Sequence, residues 1–196
     1  EYFLKDKEDI EAFIAYMPEI DEETIAEMKA VTAQWREALG EDGIAAPWGW
    51  CSVFNMVSEY RNIESLVMDT FDMPALYAAL LSKLSDQMAV YNAYLAETDV
   101  ECVGVQGNIA NGAMFSSDFF AEHDEPYEKP VIDANHANGA YTVYHNCGAA
   151  RQLYPNYKRM GFTVWETVSE APVGDNTLAD AKSFFGESMC LLGNLD

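Results

Sequence analysis

The strongest constraint on this chain is a rhythm in its second half. Short apolar runs alternate with helix-length segments, and each run stops on a cluster of polar residues and glycine. Residues 100–105 end in Gln106-Gly107-Asn108, 140–144 in His145-Asn146-Cys147-Gly148, 162–167 near Glu166, and 189–192 in Gly193-Asn194-Leu195-Asp196. Between them lie predicted helices at 117–138 (broken near Pro126 and Pro130), 149–160 and 178–185, the last two closed by Gly161 and Gly186. Continuous apolar strands alternating with helices specify a parallel α/β sheet. Both doubly wound sheets and (β/α)8 barrels place their sites at the C-terminal strand ends, where these polar clusters collect. About five strands are legible, counting an aromatic-rich one within 44–57. A closed barrel needs eight strands and about 250 residues. The sheet is therefore either open or part of a larger barrel.

The first half reads as helix. Ile10, Phe13, Ile14 and Met17 keep a 3–4 spacing that Pro18 ends. Asp21 is a predicted N-cap for a second helix with an apolar stripe of Ile25, Met28, Val31, Trp35 and Leu39, ended by Gly40 and Gly43. The 44–57 block, with Pro47, Trp48, Gly49, Trp50 and Phe54, is read as a buried strand running into a loop. A long helix follows from about Met73, with Tyr77, Leu80, Leu81, Leu84, Met88, Tyr91 and Leu95 on one face. The expected organisation is one domain: a helical lead-in at 1–43, then an α/β sheet at 44–196.

Charge narrows the partners. Against 33 acidic side chains stand 11 basic ones, a formal net charge of -22. That argues against nucleic acid, which needs clustered Lys and Arg, and against an anionic membrane surface. No apolar run approaches the roughly 20 residues that span a bilayer. The chain opens on Glu1 without Met or a basic n-region, so no signal peptide is read and a processed chain or a fragment is expected. Cys51, Cys102, Cys147 and Cys190 are too scattered for a disulfide framework. Reduced thiols and a cytoplasmic setting are expected, with Cys51, Cys102 and Cys190 as small core residues; Cys190 sits roughly 13 Å below the rim.

The sharpest local signal is His145 and Cys147. On a strand, residues two apart share a face. An imidazole and a thiol side by side make a half-site for zinc. A Cys–His catalytic pair is a second reading, and a packed His beside an inert Cys the plainest. Gln106, Asn108, Asn111, Glu166, Asn194 and Asp196 would line the same rim. Glu166 reads as a ligand, a general acid/base or an exposed loop carboxylate. The glycines form no phosphate-binding loop. His123 and His136, and the acidic run at 122–125, read as solvated helix surface.

Taken together, the residues resemble the uroporphyrinogen decarboxylase superfamily. The resemblance rests on Tyr144-His-Asn-Cys-Gly-Ala149, Trp165-Glu166, Gly174-Asp175 with Leu178 and Ala181-Lys182, and the closing Leu192-Gly-Asn-Leu-Asp196. Phe119 to Pro130, with Pro126-Tyr127 and Lys129, is similar to the superfamily's "f..f..Pyyk" helix, and Ala46-Pro47-Trp48 to its "aPw" strand. The similarity runs over nearly the whole chain. It implies a TIM (β/α)8 barrel, of which this chain holds a segment with about five strands.

The superfamily contains metal-free decarboxylases of tetrapyrrole biosynthesis and, as a separate branch, cobamide-dependent methyltransferases. The His-x-Cys pair resembles the zinc ligands of the methyltransferase branch. The resemblance thus implies zinc on His145 and Cys147, a third ligand beyond Asp196 or supplied by Glu166, a small methylated substrate, and a corrinoid carried by a partner protein. Glu166 and Asn108 are the expected catalytic groups, and Gln106, Trp165, Asn194 and Asp196 the expected substrate-binding ones. A decarboxylase would instead use arginines such as Arg61, Arg151 and Arg159 for its substrate's carboxylates. A non-catalytic barrel fragment is the remaining alternative.

Overall fold

The computed structural model describes residues 2–193. Two helices lead, α1 (Lys7–Tyr16) and α2 (Glu22–Leu39). Strand β1 (Trp48–Cys51) then opens a run of helices: α3 (Val53–Tyr60), α4 (Ile63–Asp72) and α5 (Pro74–Ala96). The alternation follows: β2 (Cys102–Gln106), α6 (Ser117–His123), α7 (Glu125–Ala137), β3 (Tyr141–His145), a 3-10 turn at Arg151–Leu153 with α8 (Tyr154–Met160), β4 (Val164–Val168), α9 (Leu178–Phe185) and β5 (Cys190–Gly193). The five strands form one parallel sheet in the order β1-β2-β3-β4-β5. Each strand pairs with its sequence neighbour and the order never reverses. That is the winding of a (β/α)8 barrel, not of a doubly wound sheet with a switch point.

Local chemistry explains the boundaries. Asp21 caps α2, its Oδ1 accepting from the Thr24 N–H at 2.8 Å. α3 and α4 replace the loop expected after β1. Ser52 Oγ caps α3 through Asn55 N at 3.3 Å, and Asn62 Oδ1 caps α4 through Glu64 N at 2.9 Å. Pro126 and Pro155 sit in the first turns of α7 and α8, where a missing N–H costs nothing. The break expected near Pro126 falls at Asp124, whereas α7 runs through Pro130.

The helix-facing residues of the strands, Val103, Val105, Tyr144, Trp165 and Val168, are buried against α5, α7, α8 and α9. There Tyr144 stacks on Phe162, and Tyr157, Trp165, Tyr154 and Phe185 join them through edge-to-face contacts. Every stripe residue named for α5 is buried except the half-buried Tyr91. The α2 stripe behaves differently: Met28 is buried, but Val31, Trp35 and Leu39 are exposed among the described residues. Cys190 is also exposed, contrary to its assignment to the core, because it lies on the opposite sheet face, on the strand with a single described neighbour. All four cysteines are free thiols.

Candidate functional site

The parallel register assembles a row at the C-terminal strand ends. Cys51 pairs with Gln106, Gln106 with His145, His145 with Glu166, and Glu166 with Leu192. Residues paired across a parallel sheet share a face, and successive residues alternate. Tyr144 and Trp165 face the helices, so His145 and Glu166 face the other way. That side is the inside of the curved sheet. Gln106 is exposed there, at the end of β2.

His145 Nδ1 is hydrogen-bonded to Glu166 Oε2, and the two side chains keep 19% and 30% of their exposure. With the carboxylate ionised, Nδ1 carries the proton and donates it, which leaves a lone pair on Nε2. No described residue is hydrogen-bonded to His145 Nε2. The indole of Trp48 meets the imidazole edge-on, with centroids 6.1 Å apart and planes at 80°. Trp48 reaches that position across Gly104, where a Cβ would fall 2.2 Å from Cε3 of the indole.

Asparagines fix the loops around this row. Asn146, between His145 and Cys147, is fully buried; its Nδ2 donates to the carbonyls of Gly107 at 2.6 Å and Ala110 at 3.0 Å. Its own carbonyl accepts from Trp165 Nε1 at 3.0 Å. Trp165 is therefore not a substrate-binding residue: it is completely buried in the helix layer and ties β3 to β4. Asn108 Oδ1 accepts from Asn55 Nδ2 at 2.6 Å, and Asn55 Oδ1 accepts from Ile109 N at 3.0 Å. Asn108 thus stands at the rim as a half-buried group held by α3. Asn111 caps its own turn through Ala113 N at 2.8 Å. Cys147 is half-buried just past β3, ahead of Gly148, which turns the chain at φ +86°.

Three contributors were not legible as such in the sequence. Asn176 Nδ2 donates to the carbonyls of Gly148 and Ser169, both at 3.0 Å. Asp175 Oδ1 accepts from Ala150 and Arg151 N–H at 2.8 and 3.1 Å, at the start of the turn that follows the His-Asn-Cys segment. Thr167, next to Glu166, has φ +68°, a left-handed conformation costly for a β-branched residue. It sits where the β4–β5 register shifts, and its Oγ1 donates to the Glu166 carbonyl at 2.7 Å. Asp175 and Asn176 carry a weak signal as turn residues, Thr167 none.

Several expectations need correction. Arg61 is buried in a bidentate pair with Asp69, at 2.5 and 2.8 Å, and also donates to the Leu4 carbonyl. Arg151 pairs with Asp180 and Arg159 with Glu125. All three candidate anion contacts are committed to carboxylates. In the acidic run, Asp124 is buried, because it sits at the α6–α7 junction and turns inward. His123 packs on Phe119 at 4.5 Å and against Tyr77 at 5.8 Å, so it too is not a solvated surface residue. Asn194 and Asp196 lie outside the described residues.

The donors suit a soft divalent ion at one point and do not close a site around it. A metal-bound histidine commonly donates its other ring nitrogen to a carboxylate, as His145 does to Glu166. Among the described residues, however, no three His, Cys, Asp or Glu groups come together as a metal site. Glu166 is bonded to His145 Nδ1, the position such an orienting carboxylate takes.

Fold and site define a class: a stretch of (β/α)8 barrel with a histidine–carboxylate pair at its C-terminal rim. Residues 6–196 match the family described as uroporphyrinogen decarboxylase (URO-D), and the chain belongs to that family. Among solved structures, a methyltransferase from Methanosarcina mazei is similar in fold, with a TM-score of 0.75 at 14% identity. The alignment covers 90% of this chain and 52% of that one, so the chain spans about half of that protein's length. Comparison with curated proteins finds no match.

Proposed function

We propose that this chain is part of a zinc-dependent methyltransferase of the URO-D superfamily, moving a methyl group between a small substrate or thiol and a corrinoid carried by a partner protein. The observation that carries this reading is the hydrogen bond that holds His145 Nδ1 against Glu166, with no hydrogen bond from a described residue to Nε2. His145 and Cys147 would hold the ion, with the remaining ligand supplied from outside the described residues. A zinc ion there supplies Lewis-acid polarisation of a methyl donor, or holds a thiolate.

The chain's own residues do the rest. Glu166 fixes the tautomer and direction of His145. Asn146 and Asn55 hold the 107–111 loop at the rim, and Asn108 and Gln106 would face the substrate. The corrinoid protein would dock over this mouth. Two features weigh against tetrapyrrole decarboxylation. Arg61, Arg151 and Arg159 are each committed to carboxylates. A net charge of -22 also repels a polycarboxylate substrate.

The test is methyl transfer by the full-length protein, followed by the absorbance change of a corrinoid protein. Glu166→Gln should keep the fold and slow transfer. Turnover of uroporphyrinogen by metal-stripped protein would overturn the reading in favour of the decarboxylase.

A further inference from the structure

Beneath the rim lies a pair of carboxyls that the proposed chemistry does not use. Asp124 and Glu128 are four residues apart on one face at the start of α7, and they retain 1% and 0% of their exposure. Glu128 Oε1 accepts from the backbone N–H of Phe54 in the first turn of α3, at 3.2 Å. Neither oxygen of Asp124 has a hydrogen-bond partner, nor does Glu128 Oε2. The titratable groups within electrostatic reach of the pair are Tyr77 from α5, Tyr144 from β3, Tyr157 from α8, Cys51 from β1, and Glu125 in α7 itself. None is a cation. Glu125 is taken up by Arg159, and His123, the preceding residue, points into the Phe119–Tyr77 aromatic cluster.

Two carboxylates cannot both ionise in such a place without a compensating charge. Glu128 has the helix N-terminus to favour its charged form, so it is the member that ionises first. Asp124 has no donor at all, so it is the member that keeps its proton. Glu128 holds the α3 N-terminus, and the next residue, Asn55, holds the rim loop through Asn108 and Ile109. Charge on the pair therefore bears directly on the seating of the rim.

We infer that Asp124 and Glu128 form a protonation latch: with Asp124 protonated, Glu128 can ionise against the α3 N-terminus and keep it and the 107–111 rim loop seated, and loss of the Asp124 proton as pH rises sets two uncompensated charges side by side and loosens both. Burial and the mutual repulsion of the two carboxyls hold Asp124 well above the usual carboxylate range, and burial moves Glu128 up to about 7. The unfolded chain releases both protons near pH 4, so the folded state binds more protons above that point. Stability contributed by the pair is thus greatest in acid and falls as pH rises towards and past 7. The inference holds whatever reaction the site carries.

The experiment follows the full-length protein from about pH 5 to about pH 8 by thermal unfolding, beside Asp124→Asn. Hydrogen exchange of the rim loop and infrared absorption of protonated carboxyls are read at the same points. The expected result is a Tm that falls with pH in the native protein and a much flatter profile in the variant. Rim-loop protection should fall with the Tm, and a carboxylic-acid C=O band should be present at neutral pH in the native protein alone. If Asp124→Asn fails to fold, the native protein's infrared band and exchange profile still decide. Absence of the band, or a native Tm that is level or rises over this range, overturns the inference. Rim protection that ignores pH while Tm falls overturns its link to the site.

Discussion

Gly107→Ala probes how rigidly the rim is built. A Cβ there would fall 2.3 Å from Tyr144 Oη and 2.7 Å from Cζ. The tyrosine cannot retreat: it is fully buried, stacked on Phe162 at 4.7 Å and set edge-on to Tyr157 at 5.9 Å. Nor can the backbone, since Gly107 donates to the His145 carbonyl at 2.7 Å and accepts from Asn146 Nδ2 at 2.6 Å. Overpacking costs about 1–3 kcal/mol, and a site pinned on both sides belongs at about 2–3 kcal/mol. For a domain of this size that lowers Tm by roughly 4–12 °C. Gly104→Ala is the comparator. Its Cβ would meet Trp48, which is half exposed and free to swing away from His145. It should cost less stability than Gly107→Ala while disturbing the imidazole's surroundings. Thermal unfolding by circular dichroism reads both. A Gly107→Ala Tm equal to the native one, or a larger loss in Gly104→Ala, would refute the reasoning.

Other consequences follow from the same geometry. Asp69→Ala leaves the Arg61 guanidinium buried without its partner and should cost about 3–5 kcal/mol in denaturant unfolding; a loss under 1 kcal/mol would contradict the burial of that pair. Glu166→Gln should weaken zinc binding about 10–100-fold with little change in Tm, because it removes the carboxylate orienting His145; competition with a chelator measures it. Thr167→Gly relieves a left-handed β-branched residue, so chemical unfolding should show it within about 1 kcal/mol of the native protein. Thr167→Val keeps the strained φ and loses the hydroxyl, and should be the less stable of the two.

The parallel strand–helix alternation, the long α5 and the polar strand ends were legible because they rest on period and punctuation, whereas the order of the sheet followed only from the family resemblance. The α5 stripe from Tyr77 to Leu95 and the polar stops at Gln106 and His145 survive folding almost unchanged. α3 and α4 were not legible, because the aromatic run from Trp48 to Phe54 masks the capping signals of Ser52 and Asn62. Trp165 shows the limit of proximity in sequence. One residue before Glu166, it points to the opposite face of the strand, so its neighbour's chemistry says nothing of its own. Asp124 was misread for a related reason: acidic character predicts solvent, and only tertiary packing turns that carboxyl inward. The arginines likewise looked available until Asp69, Asp180 and Glu125 came into reach through the fold.

The central claim is that His145 and Cys147 hold zinc. Its most direct test is elemental analysis of the purified full-length protein, with the His145→Ala/Cys147→Ser double variant beside it. The account predicts about one zinc per chain in the native protein, lost in the variant. A native protein without zinc, or a variant that keeps it, would contradict the account and leave the pair as structural residues of the rim.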